Sequence, residues 1–435
     1  MAEQFEAIVV GAGPAGSAAA LCLARNGRRV CLVERGPFPG SKNLFGGVVY
    51  PRVLDELVPG WRHEAPLERL VTRRATMVLT ETQSLAVDFR SAAWADEPFN
   101  GATALRPHFD SWLASKAVAA GAVLVPSTTV TGLLQAGDGT VSGVRTDRPE
   151  GDLVAGVVIA CDGVNSFLAK QAGLAGKPVA GDYTLGVKEV LAMPAGEIER
   201  RFAVSPGEGA DFEILGGTSG IAGGGFLYTN SETLSVGLVL SLPSLAASGL
   251  RPEDVLASFK AHPAIAPFVD GADLLEYGAH LIPEAGLSMA PKLAGAGLLV
   301  AGDAAGMCLA AGIWLEGVNF AIASGAAAGQ AAADSLRVGE TGEKALLRAY
   351  RGRLQDGFVL ADLKALARAP RLMLSDRVQH RYPALVCNLV EQMFTVTNPS
   401  PKAGLRHLLR SEAARAGVRR RDLVRDGWAA IRTFG

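Results

Sequence analysis

Cysteine is sparse and dispersed in this 435-residue chain: Cys22, Cys31, Cys161, Cys308 and Cys387. No two of them form a Cys-x-x-Cys pair, and no set has iron–sulfur or zinc spacing. Each reads as a small buried apolar residue in a reducing compartment. The six histidines do not cluster, so no metal site is expected. Net charge is almost nil, at −1, which excludes the basic surface that nucleic-acid binding requires. A membrane span is missing too. The longest uncharged run, 117–137, carries Pro126, glycines and a Ser-Thr-Thr cluster, and reads as helix end, turn and strand. Residues 1–10 have no basic region and lead straight into a strand, so no signal peptide and a cytoplasmic location are expected.

Apolar residues are plentiful: 49% of the chain, against 20% charged. At this length they suffice for two or three domains with a substantial core. The first motif follows an apolar run at 7–10. Gly11-Ala12-Gly13-Pro14-Ala15-Gly16 has GxGxxG spacing, an alanine-rich helix comes next, and a second strand ends at Glu34-Arg35. Gly11 permits the tight turn, Gly13 lets a pyrophosphate approach the backbone, and Gly16 lets helix and strand pack closely. The phosphates then meet free N–H groups at the helix N-terminus. Glu34 ends its strand where a carboxylate accepts bonds from ribose hydroxyls. A dinucleotide site is expected, with Ala15 and Arg35 among its contacts, but this stretch serves NAD and FAD alike.

Two later segments bear on that choice. In 297–332 an apolar strand ends at Gly302-Asp303 and a small-residue helix follows; in 157–170 a strand ends at Asp162-Gly163 before a helix. A carboxylate in the first position suits the ribityl chain of a flavin, which NAD lacks. Taken singly, each acid also reads as an Asp-Gly turn or a helix cap. In order, the three segments resemble the glutathione-reductase-type FAD fold, in its p-hydroxybenzoate-hydroxylase-like branch. That resemblance implies FAD as the cofactor. With no second GxGxxG, a dedicated NAD domain is not expected.

The stretches 34–61, 104–117, 185–194, 223–242, 262–286 and 297–332 together resemble the FixC family. These are quinone-reductase subunits that accompany electron-transfer flavoproteins, related to electron-transfer flavoprotein–quinone oxidoreductases and more distantly to geranylgeranyl reductases. The resemblance implies an α/β fold with an inserted antiparallel-sheet substrate domain and a helical C-terminal region. FAD-binding segments are expected at 1–75, 101–170 and 290–335, substrate-domain strands at 76–100, the quinone domain at 171–289, and helices over 336–435. Gly11, Gly13, Gly16 and Glu34 match the adenosine-diphosphate end of FAD. Arg106 matches an arginine that reaches the cofactor, Gly302 and Asp303 its ribityl and pyrophosphate contact, and Lys42 and Asn43 a loop near the flavin. Asp162 and Gly163 complete the expected contacts.

The activity implied is FAD-dependent transfer of electrons from an electron-transfer flavoprotein to membrane quinone, within an electron-bifurcating complex of the kind tied to nitrogen fixation. Partners would be FixA- and FixB-like flavoprotein subunits and a FixX-like ferredoxin, with peripheral contact at the inner face of the cell membrane. Larger relatives carry clustered cysteines at their C-terminal end; this chain has none there, so the cluster is expected on the separate ferredoxin. Geranylgeranyl reductases place a Tyr- and Trp-rich stretch where "GGGFLYTNSE" stands, which weighs against prenyl reduction. An isoprenoid reductase, an aromatic hydroxylase, and a relay subunit inactive without its partners remain alternatives. No catalytic residue is singled out and no paired catalytic carboxylates are expected; Lys188, Glu189 and Tyr228 are candidate proton donors for quinone. The helix at 383–396 is expected in the core, with membrane contact as the alternative. The basic run 402–425 reads as a solvated face, or a dock for a ferredoxin or an anionic bilayer.

Overall fold

A computed structural model describes residues 3–42, 46–312 and 314–435; Asn43 lies outside the described residues. Glu3–Val10 runs parallel between Val30–Val33 and Leu153–Ala160, and Leu298–Val300 and Val123–Val125 extend the parallel set on either side. Both faces are covered, which is why these strands are apolar at nearly every position rather than alternating. Register does the rest. Val10 lies beside Val33 and Ala160, and Ala160 beside Val300. The turns that follow, with Gly11, Glu34, Asp162 and Asp303, therefore gather at one edge of the sheet. Ligands bind at the carboxyl ends of strands in such sheets.

The helix Pro14–Arg25 follows the first turn and packs on Val318–Val338. Glycine makes that contact close: a Cβ on Gly325 would stand 2.0 Å from the Ala15 carbonyl oxygen.

A second, nine-stranded sheet stands over that edge. In order it runs Asp273–Pro283, Tyr183–Ala192, Thr233–Ser241, Gly223–Thr229, Glu208–Leu215, Leu67–Leu79, Ala102–Leu105 and Gly46–Val49, with Ser84–Arg90 paired to Leu67–Leu79. One pairing, Glu208–Leu215 with Leu67–Leu79, is parallel; the others are antiparallel. One face buries Phe212, Leu227, Val236 and Leu238 beneath the helices Ala195–Phe202 and Pro252–Ala261. The opposite face looks toward the first sheet, and alternation along each strand decides which residues it presents.

Helices dominate the chain beyond 336. The helix Tyr382–Phe394 departs from the core expectation: it buries Pro383, Leu385 and Cys387, while Met393 and Phe394 are exposed. Its apolar circumference is met by packing only at its first half. No helix among the described residues is long and apolar enough to cross a membrane.

Candidate functional site

A cavity of about 540 Å³ lies between the carboxyl edge of the parallel sheet and the inner face of the second sheet. At one end is the glycine turn. Gly11 has φ +95°, and a Cβ on Gly16 would stand 1.8 Å from the Gly11 carbonyl oxygen. The protein's own packing demands both glycines. Gly13 is different. A Cβ there would meet no atom of the described chain within 4 Å, because the position opens on the cavity. Its glycine makes sense only if something else approaches that backbone.

Glu34 has a role that the motif did not disclose. Its Oε2 accepts the Ala12 N–H at 2.9 Å and its Oε1 the Gly36 N–H at 2.7 Å. The carboxylate braces the turn and still lines the cavity, as do Ala15, Arg35 and Lys42. Gly16 does not line it; it packs behind the turn.

Asp162 combines its two readings. Oδ2 accepts the Leu168 N–H at 3.1 Å, capping a short helix, and Gly163 beside it has φ +73°. Oδ1 is buried without a hydrogen-bond partner among the described residues, in a side chain that faces the cavity. A buried acceptor left unmatched is costly, so a ligand donor is the natural complement.

Further in, Asp303 follows Gly302, whose N–H donates to Ser324 Oγ at 3.0 Å. Burial pushes the Asp303 carboxyl up; His280 and Arg106 nearby pull it back down. Burial likewise drives His280 toward its neutral form, with Asp303 opposing and Arg106 and Arg35 reinforcing. Arg106 begins the helix Arg106–Ala119, and Asp110 takes its Nε and Nη2 at 2.7 and 2.8 Å. That clamp, one helical turn apart, aims the guanidinium across the cavity. Cys161 and Cys308 line it too, both with thiol pKa raised by burial, away from thiolate chemistry.

At the far end, only Tyr228 was read from the sequence. Asp211 and Glu213 alternate along Glu208–Leu215 and both face the cavity; Tyr228 and Phe226 stand opposite them on the next strand. The two rings stack at 5.6 Å, and the Phe226 ring lies over Gly237, where a Cβ would come within 2.4 Å of it. Arg74, from the strand on the other side, pairs with Glu213 and stands 3.4 Å from Asp211. Burial raises both carboxyls above the usual range, and Asp211 raises Glu213 further, with Arg74 opposing in each case. Tyr50 completes the group, its phenol pushed up by burial. A carboxylate pair therefore meets in this cavity. The available signal was the alternation in "ADFEIL", which is indistinguishable from that of a solvated strand face.

Of the expected proton donors, Tyr228 lines the cavity. Lys188 is buried behind it, its ammonium 5.8 Å from the Tyr228 ring centre, and burial lowers its pKa to about 7. Glu189 points to the other face and pairs with Lys260, a structural contact.

Residues 4–200 match the profile of a FAD binding domain, 183–282 that of "ETF-QO, ubiquinone-binding", and 369–435 that of the "ETF-QO/FixC family C-terminal domain". Protein FixC of Escherichia coli K12 is 39% identical over 98% of each chain. The same organism's probable electron transfer flavoprotein-quinone oxidoreductase YdiS is 38% identical over 98% of each. FixC of Bradyrhizobium diazoefficiens is 39% identical over 92% of each. Among solved structures, a geranylgeranyl bacteriochlorophyll reductase-like protein of Thermoplasma acidophilum aligns with TM-score 0.70 at 19% identity, over 98% of this chain and 100% of that one. The myxobacterial halogenase CndH aligns with TM-score 0.64 at 18% identity, over 97% and 99%. At those identities the structures speak for the fold alone.

Proposed function

Because the chain belongs to the electron-transfer flavoprotein–quinone oxidoreductase/FixC family and is a FAD-dependent oxidoreductase, we propose that it passes electrons from an electron-transfer flavoprotein to a quinone held in a membrane. The observation that carries this reading is one cavity shared by two sets of residues. The glycine turn, Glu34 and Asp303 line one end, and Asp211, Glu213, Phe226 and Tyr228, from the span matching a ubiquinone-binding profile, line the other. Bound FAD supplies one- and two-electron chemistry between such partners.

The chain's own residues fit that cofactor. The open flank of Gly13 and the free N–H groups of the following helix would take the pyrophosphate. Glu34 would accept the adenosine ribose hydroxyls, and Asp303 the ribityl hydroxyls, with Gly302 keeping the backbone close. Asp162 Oδ1 offers an acceptor on the same wall, flanked by Gly163. Arg106, held by Asp110, and Arg35 and Lys42 bring positive charge to a cofactor that carries a pyrophosphate. Tyr228 and Phe226 form an aromatic wall for a quinone ring.

Membrane contact has support at the C-terminal helix Arg420–Phe434. Val424, Trp428 and Ile431 recur at helical spacing and are each more than 60% exposed. Arg420, Arg421, Arg425 and Arg432 accompany them. Phe434 packs on Trp314, whose neighbour Leu315 lines the cavity. An apolar stripe rimmed by arginine suits an anionic bilayer surface, from which an isoprenoid tail would reach that side of the cavity. FixA- and FixB-like donor subunits, a FixX-like ferredoxin carrying the iron–sulfur cluster, and electron bifurcation belong to the same proposal. The test is reduction of a quinone analogue by the FAD-loaded chain with reduced electron-transfer flavoprotein and ferredoxin. Rapid NADPH-dependent saturation of prenyl double bonds, without response to quinone, would replace this reading with an isoprenoid reductase.

A further inference from the structure

The cavity's far end holds more acid than binding a quinone ring requires. Asp211 and Glu213 project from alternate positions of one strand into the same space, their side chains 7% and 13% exposed, and share a single guanidinium, Arg74. A third carboxyl, Glu316, stands near Arg74, where it accepts a hydrogen bond from Asn319 at 2.5 Å. Tyr50 faces the group from beside the Gly46–Val49 strand, and Tyr228 lies across from Asp211 with Arg106 beyond it. One cation near several carboxyls cannot neutralise them all. Burial and mutual repulsion both work against ionising two such carboxylates at once. Hydrophobic residues of similar volume would serve stability as well or better.

Resting on the quinone-reducing reading, we propose that Asp211 and Glu213 are the proton-donating pair of the site, holding one carboxylic proton between them beside Arg74 and giving it to a quinone oxygen. Reduction of a quinone to a hydroquinone takes two electrons and two protons. Bound FAD, once reduced, would supply the electrons. As charge builds on a quinone oxygen, the carboxyl O–H bond of the pair breaks and a quinone O–H bond forms. The pair is left doubly ionised against Arg74, takes a proton from solvent at the cavity mouth, and delivers it to the second oxygen. Tyr50 and Tyr228, both with phenols driven toward the neutral form by burial, stay protonated through the cycle and orient the ring. Asp211 and Glu213 act here as catalytic residues, since they touch the reacting oxygens; Arg74 is a positioning residue.

The experiment uses the FAD-loaded chain as wild type, E213Q and D211N. Infrared difference titration reads the carboxylic C=O stretch without any turnover. In the wild type, a carboxylic band besides that of Glu284 should disappear as pH rises through neutrality; E213Q and D211N should alter or lose this band while keeping the Glu284 one. In parallel, the rate of quinone-analogue reduction is divided by the rate of ferricyanide reduction, an acceptor that takes electrons and no proton. This ratio should fall roughly 100-fold in E213Q, the scale of a lost general acid. In the wild type it should decline with rising pH as the shared proton leaves. Carboxylic bands that titrate alike in wild type, E213Q and D211N, or an E213Q variant that keeps both the ratio and its pH profile, overturn the proposal. A wild type that reduces ferricyanide but no quinone overturns the quinone reading itself, and with it the acceptor named here.

Discussion

Replacing Glu34 with alanine tests how a single carboxylate divides its work. Glu34 accepts two backbone N–H groups, from Ala12 at 2.9 Å and Gly36 at 2.7 Å. Hydrogen bonds to a charged acceptor contribute about 1.5–3 kcal/mol each. The turn is partly exposed, so water would take over some of that contribution, and a stability loss of about 2 kcal/mol is expected from the brace alone. The adenosine ribose would add its own bonds to the remaining lone pairs. Losing these should weaken FAD by a further 1.5–3 kcal/mol, or roughly 10- to 100-fold in Kd, at 1.4 kcal/mol per tenfold. Glu34→Gln should fall between, because its carboxamide keeps one acceptor and turns an N–H donor toward the other backbone N–H. Chemical denaturation of the FAD-free protein reads the first quantity, and FAD titration followed by flavin fluorescence reads the second. If Glu34→Ala lost stability but bound FAD with unchanged Kd, Glu34 would be a brace only, and the ribose contact would be wrong.

Three other outcomes follow from the same structure. Gly13→Ala meets no protein atom within 4 Å, so it should leave FAD-free stability nearly unchanged while weakening FAD about tenfold or more, because the methyl group would occupy the pyrophosphate's approach; equal losses in both measurements would count against a cofactor-imposed glycine. Glu284, hydrogen-bonded by Thr184 at 3.0 Å, is pushed up to about 7 by burial. The folded state then holds this proton after the unfolded chain has released it, so stability should fall as pH rises from about 4.5 to about 7 and stay low above that. Glu284→Gln should remove this slope and gain about 1–3 kcal/mol over wild type at pH 8, with little difference at pH 4; parallel denaturation curves at both pH values would contradict it. Trp428→Glu together with Ile431→Glu should cut co-sedimentation with phosphatidylglycerol vesicles about tenfold at low salt without changing FAD content, and undiminished binding would move the membrane contact elsewhere.

The sequence by itself determined a dinucleotide site and the architecture that holds it, and its family resemblance implied that the dinucleotide is FAD. A strand, a glycine turn and a helix N-terminus are contiguous residues, so their chemistry is written locally, and Gly11 to Gly16 could be understood without knowing what packs on them. Strand-end acids such as Asp162 and Asp303 are legible for the same reason once parallel strands are inferred, since parallel register brings their ends to one edge. Tertiary structure alone decided what faces that edge. Alternation could put Asp211 and Glu213 on one face, but whether that face meets water or a closed cavity depends on Arg74, Tyr50 and Tyr228, which arrive from distant segments. A carboxylate in water ionises readily; burial beside another carboxylate works against that, and a guanidinium opposes the effect. The double use of Glu34, the burial of Lys188 behind Tyr228 and the half-covered helix at 382–394 have the same origin. Each depends on which surface lies opposite a side chain, and no local pattern of residues contains that information.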